Sequence, residues 1–306
     1  MQPVKTTRLA EIGEDELISS LTAELRMDDS VLCGPGDDCA VLTGSHPDYL
    51  DLLKTDAVVE GVHFVKEEQA EAVGWKAVAR AVSDIAAMGG LPTAAVVTLV
   101  APETLEVATV VGWYRGMQRA ADAFGFSIVG GETSSIANSQ AMISVAMTGR
   151  VEPDRCVYRS GAQLGDAILV TGQLGGSLAS GRHLHFQPRL AEARWLTEHF
   201  RLHSMMDLSD GLAKDLPRMM RASGTGYRID EKNLPCHNNV NIQSALTDGE
   251  DYELLFTIAA DEVDKLQREW LQSFANQVQL SVIGQVIEKT KTQLQGGWEH
   301  FSKTKH

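Results

Sequence analysis

Acidic side chains recur where strands and helices should end. Gly34-Pro35-Gly36-Asp37-Asp38 sets two adjacent carboxylates in a glycine-rich turn, and Lys54-Thr55-Asp56 closes an apolar run. Ser83-Asp84 lies inside an otherwise apolar helical pattern, where a carboxylate needs a partner or a metal. Gly130-Gly131-Glu132-Thr133, Asp207-Leu208-Ser209-Asp210-Gly211 and Gly249-Glu250-Asp251-Tyr252-Glu253 complete the set. Each alone has a bland explanation: an Asx turn at Asp37-Asp38, or a helix N-cap at Ser209 or Asp210. An N-cap explains one residue of Asp207–Asp210 and leaves the second acid unexplained. Together the clusters suggest a shared site for several hard cations, because Mg²⁺ takes a few carboxylate oxygens plus water and phosphate. No GxxxxGK[ST] loop, protein-kinase motif set or strand–GxGxxG–helix fingerprint is present. His63, in Gly61-Val62-His63-Phe64, reads first as structural, and no HExxH or Cys/His spacing supports zinc. His183 and His185, in GRHLHF, read as surface or substrate-loop residues.

Positioning these residues requires a mixed set of elements. Periodicity predicts helices over Glu14–Arg26, Ala72–Met88, Leu105–Phe124, Pro188–Phe200, Gly211–Ser223 and Asp261–Phe274. The first would bury Leu17, Ile18, Leu21 and Leu25. Strands are expected at Cys39–Leu42, Tyr49–Thr55, Thr93–Val100, Phe126–Val129, Ala141–Val151, Ala167–Gly172 and Glu253–Ile258, with a turn at GGETSSIANS. This order is not a strict βαβ alternation, so an α+β fold fits better than a doubly wound sheet. The 306 residues suggest two domains, 1–150 and 151–306, joined through the turn-rich VEPDRCVYRSGAQLGD. The net charge is −14, with −11 in residues 1–150 and −3 in 151–306, which disfavours nucleic acid as a partner. The longest apolar run, Ala94–Ala101, is too short to span a bilayer, and the N-terminus shows no apolar signal-peptide core. Cys33, Cys39, Cys156 and Cys236 lack paired spacing and read as reduced, buried thiols of a cytoplasmic protein.

The motifs GPGDDCAVL, KTDAVVEGVHF, AVSDIAAMGG, VGGET, YRSGAQLGD, DLSDGL and DGEDYELLF occur in that order. With them the chain resembles the thiamine-monophosphate kinases of the aminoimidazole-ribonucleotide-synthetase-like superfamily, from about residue 11 to the GWEHF at 297–301. The resemblance implies a two-domain α+β fold whose N-terminal sheet pairs across a homodimer. ATP and several Mg²⁺ ions would lie in a cleft between the domains. It also implies phosphorylation of thiamine monophosphate to thiamine diphosphate. Matched by motif, Asp38, Thr55, Asp56, Asp84, Glu132, Asp207 and Asp210 are metal ligands. Tyr114, Gly131, Glu132, Arg159 and Ser209 match nucleotide contacts, and His63, Glu250 and Trp298 match substrate contacts. Asp56, Asp210 and Arg159 are the catalytic candidates. Three positions depart from the usual pattern: Glu132 for Asp, Lys54 for Ser or Thr, and Asp248 for Gly. The Lys54 ammonium either supplants a cation, touches phosphate or points to solvent. Direct in-line transfer without a phosphoenzyme fits, because the acceptor phosphate is already ionised and the difficulty is bringing two anions together. The alternatives are another ATP-dependent synthetase of the superfamily or a non-catalytic nucleotide-binding dimer. Selenophosphate synthetase would want a reactive cysteine within the first 32 residues, which have none.

Overall fold

The computed structural model describes residues 8–137, 140–274, 277–289 and 294–301. In chain order the elements are α1 (Leu9–Ile12), α2 (Glu14–Thr22), β1 (Val31–Cys33), β2 (Ala40–Leu42), β3 (Leu50–Val59), α3 (Ala70–Ala87), β4 (Leu91–Ala101), α4 (Val107–Phe124), β5 (Ser127–Ser135) and β6 (Met142–Val151). There follow β7 (Ala167–Thr171), α5 (Ser177–Ser180), α6 (Leu190–His199), β8 (Ser204–Asp207), α7 (Leu212–Ser223), β9 (Gly226–Ile229), α8 (Ile242–Thr247), β10 (Leu254–Ile258), α9 (Val263–Phe274) and β11 (Leu280–Ile287).

The first sheet has the order β1-β2-β3-β6-β4-β5, antiparallel except for the parallel β4–β5 pair at one edge. One face carries α3, which is almost entirely buried, and α4 packs on α3. The two helices meet backbone to backbone: a Cβ on Gly74 would sit 1.9 Å from the Trp113 carbonyl, and one on Gly116 equally close to that of Glu71. The opposite face is open and partly apolar, with Leu53, Val96 and Val129 exposed.

The second sheet, β8-β10-β7-β11-β9, is antiparallel throughout and covered on both sides. Alternation divides its residues cleanly. Leu169, Met205, Leu254 and Phe256 join a core continuous with α3 and the first sheet, whereas Ile168, Val170, Met206 and Leu255 face the α7 residues Leu216, Met219 and Met220. One hydrophobic core therefore ties the two halves together. No described helix is long and apolar enough to cross a membrane.

Several expectations need correction. The predicted Glu14–Arg26 helix ends at Thr22 and buries nothing; Ile18, Leu21 and Leu25 are exposed. It is held instead by ion pairs, Glu14 to Lys214 (2.8 Å) and Asp15 to Arg218 (2.7 Å) and Arg221 (3.2 Å). Gly130–Ser135, expected as a turn, is strand: an exposed edge tolerates glycine and polar side chains that blur the alternation. Strand β3 runs four residues further than predicted, which moves Asp56 to mid-strand. Of the four free thiols only Cys39 is buried. His183 is not a surface residue: it is buried, with Nε2 3.4 Å from the Glu68 carboxylate.

Candidate active site

Strand alternation starts the site. On β3, Leu52, Lys54, Asp56 and Val58 share the face turned to α3, and Thr55 takes the other. On α3, Lys76, Arg80 and Asp84 stand at i, i+4 and i+8 along one face of an otherwise apolar helix. Lys54 Nζ meets Asp84 Oδ1 at 2.7 Å, and an Arg80 guanidinium nitrogen lies 3.1 Å from Asp56. The end of β8 brings in Asp207, whose Oδ2 accepts the Ser83 hydroxyl at 2.6 Å. From the 34–38 turn comes Asp38, paired at 2.5 Å with Arg159.

Oxygens of Asp38, Asp84 and Asp207 all lie within 4.8 Å of one another, and all three residues are buried. Asp38 Oδ2 is fully buried with no hydrogen-bond partner, an arrangement that is costly without a cation to receive it. Burial, and then the neighbouring carboxylates, push Asp207 up to about 7 and Asp37 up to about 6. Burial does the same to Asp84 against the pull of Lys54. Three oxygen donors with an orphaned lone pair suit a hard divalent ion. The cleft around them, about 560 Å³, is also lined by Asp37, Lys54, Arg159, Ser209, Asp210 and the α2 residues Glu14, Asp15 and Ile18.

Ser209 and Asp210 also line a second, smaller cavity beside the first. Three segments converge there. The Glu250 N–H donates to the Ser209 carbonyl (2.7 Å) and the Trp298 N–H to the Asp210 carbonyl (2.9 Å). Its walls are His63, Arg80, Asp248, Glu250, Tyr252, Trp298 and His300. Glu250 and Tyr252 hold left-handed backbone, φ +55° and +52°, which side chains other than glycine rarely adopt. Beneath them Lys76, fully buried, bridges the Glu250 carboxylate and the His63 carbonyl. Burial, with Arg80 and Lys76 nearby, brings His63 down to about 3. His63 Nδ1 accepts the Val59 N–H at 3.1 Å, so the neutral ring carries its proton on Nε2. His300 completes an aromatic wall, 5.5 Å from the His63 ring and edge-on to Trp298 at 6.0 Å.

The structure thus gathers Asp38, Asp84 and Asp207 into one cluster, sets Asp56 and Arg159 against its cations and acids, and groups His63, Glu250 and Trp298 in one pocket bordered by Ser209 and Asp210. Asp210 itself is paired with Arg218 at 2.6 Å and stands outside the triad. Thr55 faces the open side of the sheet. Glu132 and Gly131 lie on edge strand β5, and Tyr114 is exposed on α4. The row Ala57–Ser144–Thr98–Glu132 counts three strand spacings, roughly 14 Å, between β3 and Glu132. None of Thr55, Tyr114, Gly131 and Glu132 lines the cleft around the cluster. Lys76, Arg80 and His300 were missed by sequence reasoning; the charged stripe 76-80-84 in an apolar helix was the available signal for the first two. Asp248, one of the three departures, anchors the glycine-rich loop after β7, where its carboxylate accepts the Gly176 N–H at 2.9 Å.

The geometry has close counterparts. The AIR synthase related protein N-terminal domain matches residues 36–151 and the corresponding C-terminal domain residues 163–297. The thiamine-monophosphate kinase of Rhodopirellula baltica is 34% identical over 95% of this chain and 93% of its own length. The crystal structure of thiamine monophosphate kinase from Aquifex aeolicus, 32% identical, covers 93% of this chain and 96% of its own with a TM-score of 0.75. AaThiL complexed with AMPPCP and TMP, 33% identical, matches 97% of this chain and 100% of that one with a TM-score of 0.84. With relatives this similar over nearly the full length, and both domains in place, the chain belongs to the thiamine-monophosphate kinase family.

Proposed function

We propose that this chain transfers the γ-phosphoryl group of ATP to thiamine monophosphate, releasing ADP and thiamine diphosphate. The observation that carries it is the shared border: the acid-lined cleft and the aromatic pocket both include Ser209 and Asp210, so the anionic ends of two substrates would meet there. Asp38, Asp84 and Asp207, with Asp56 and Asp210 nearby, would hold Mg²⁺, which neutralises phosphate charge and stabilises the leaving diphosphate. Arg159 sets a permanently charged, planar donor beside Asp38. In the pocket, Trp298, His300 and Tyr252 offer π faces, and Glu250 and Asp248 offer carboxylates, a combination suited to a thiazolium cation. The His63 Nε2–H is available to donate to the substrate. No side chain is needed as base, because the acceptor oxygen of thiamine monophosphate is already ionised. It forms the new O–P bond as the bond to ADP breaks, in line.

On this reading residues 1–150 supply most of the ion carboxylates and residues 151–306 most of the substrate pocket. Two features support a homodimer: the open, partly apolar face of the first sheet, and the absence of Tyr114, Gly131 and Glu132 from the cleft of their own chain. A second copy packed on that face would cover Leu53, Val96 and Val129 and present those three residues to the nucleotide. The test is direct. The protein with ATP, Mg²⁺ and thiamine monophosphate should give thiamine diphosphate and ADP in equal amounts by chromatography. ADP without thiamine diphosphate would point to a sister synthetase. Light scattering should report a dimer, and an active monomer at micromolar concentration would remove the second-copy assignment.

A further inference from the structure

We propose that Lys54 is a resident cation of the ion cluster: its ammonium fills the place of one divalent ion, so the cleft of this chain takes fewer metal ions than its carboxylates alone would. The inference rests on the metal-binding reading above. Lys54 Nζ lies 2.7 Å from Asp84 Oδ1, and Asp84 is one of the three mutually close carboxylates. Lys54 lines the same cleft as Asp38, Asp84 and Asp207, and its place on β3 turns it to the same face as Asp56. Burial opposes the ammonium, but the attraction of Asp84 and then Asp56 outweighs it and holds the pKa above the ordinary lysine value.

Charge counting reinforces the assignment. With their carboxylates ionised, Asp38, Asp56, Asp84 and Asp207 contribute four negative charges against three positive ones from Lys54, Arg80 and Arg159, a net −1 for these seven side chains before any ion enters. Among these cations only the ammonium is a compact point charge with donors in several directions, the form closest to a small ion; the guanidiniums are planar forks. One acceptor is still open, the unpaired Asp38 Oδ2, and it marks where a divalent ion remains necessary.

The test is a Mn²⁺ titration of the full chain, followed by equilibrium dialysis, with the ion alone and neither nucleotide nor thiamine phosphate present. Lys54→Met should bind one more Mn²⁺ per chain than wild type, or its first Mn²⁺ about tenfold tighter, as a lost neighbouring charge predicts. It should melt lower than wild type in EDTA and gain more from Mn²⁺. Lys54→Arg, which keeps the charge, should retain the wild-type ion count. An unchanged isotherm for Lys54→Met would overturn the proposal, and weaker ATP binding by that variant in a separate titration would then make Lys54 a phosphate contact. A Lys54→Arg protein that also gains an ion, or a Lys54→Met protein that stays unfolded in saturating Mn²⁺, would overturn it too. Because the readout is ion binding, a chain that failed to phosphorylate thiamine monophosphate would leave this result standing.

Discussion

Two of the ion cluster's three carboxylates stand on regular elements and only Asp38 on a turn, whereas the aromatic pocket is built mostly on turns. Asp84 sits in a buried helix and Asp207 at the end of a buried strand, so the positions of those carboxylates are fixed by the core. What the cluster stores is repulsion between like charges, only partly offset by Lys54, Arg80 and Arg159. In the pocket the backbone is the strained component. Glu250 and Tyr252 are held in left-handed conformations at a cost on the order of 1–3 kcal/mol each. Backbone hydrogen bonds to the 208–210 segment and the ion pair to Lys76 hold them there. The contrast teaches that removing a carboxylate charge from the cluster should relieve the apo fold and damage ion binding, whereas removing the Lys76 charge beneath the pocket should release a strained loop.

The largest effect is expected from Asp207→Asn. The amide is isosteric and its oxygen still accepts the Ser83 hydroxyl, but one ion-facing charge is gone. Turnover should fall about a thousandfold, roughly 4 kcal/mol, while the melting temperature in EDTA stays equal to or rises above that of wild type. Near-normal turnover would break the cluster's role, and a lower melting temperature would break the claim of stored repulsion. Next comes Lys76→Met. Lys76 is fully buried, and its loss leaves Glu250 without its counter-charge at the strained position. Urea unfolding should show a loss of about 3 kcal/mol. The KM for thiamine monophosphate should rise more than the KM for ATP; equal changes in both would dissociate Lys76 from the pocket. A smaller effect is expected from Trp298→Ala. Its side chain is 41% exposed and lines the pocket, so truncation should raise the KM for thiamine monophosphate about tenfold with the KM for ATP and the melting temperature nearly unchanged. A mutant that unfolds, or that loses both substrates equally, would make Trp298 part of the core.

These two regions were not equally legible in the sequence. Asp38, Asp84 and Asp207 stand at positions that local patterns mark: a glycine-rich turn, an acid in an apolar helix, the end of a strand. Their convergence requires β8 and α3 to share the core between the two sheets, which periodicity does not encode. The alternation of β3 was readable, yet the strand was expected to stop at Thr55, and that hid the opposite orientations of Thr55 and Asp56. The edge strand β5 was read only as far as Val129, because its exposed positions beyond that are under no pressure to alternate. Helix α2 misled in the other direction. Its apolar face implied burial, but the charges of Lys214, Arg218 and Arg221 dock it along its acidic side. Lys76 was overlooked because a lysine in an amphipathic pattern is normally solvated, and only the third dimension supplies Glu250 as its partner.

A further expected effect concerns His63, and it separates pocket from cluster by the sign of a pH dependence. Burial first, and then the positive charges of Arg80 and Lys76, bring its pKa from 6.5 to about 3 in the folded protein. Between those values the unfolded chain binds a proton at this position that the folded chain does not. Stability contributed by His63 is therefore complete above its unfolded pKa and drains away as the pH falls toward the folded one. Asp37 and Asp207, with raised values, act in the opposite direction, so wild type alone mixes the two contributions. The difference between wild type and His63→Gln isolates the histidine. Glutamine can still accept the Val59 N–H and does not titrate. From about pH 6.5 to about pH 4.5 the variant should lose less stability than wild type, by up to about 1.4 kcal/mol for each pH unit. Urea unfolding curves at several pH values measure this directly. Parallel curves for the two proteins would mean that His63 takes up a proton in the folded state as easily as in the unfolded one, and the neutral Nε2–H donor assigned to the pocket would be lost.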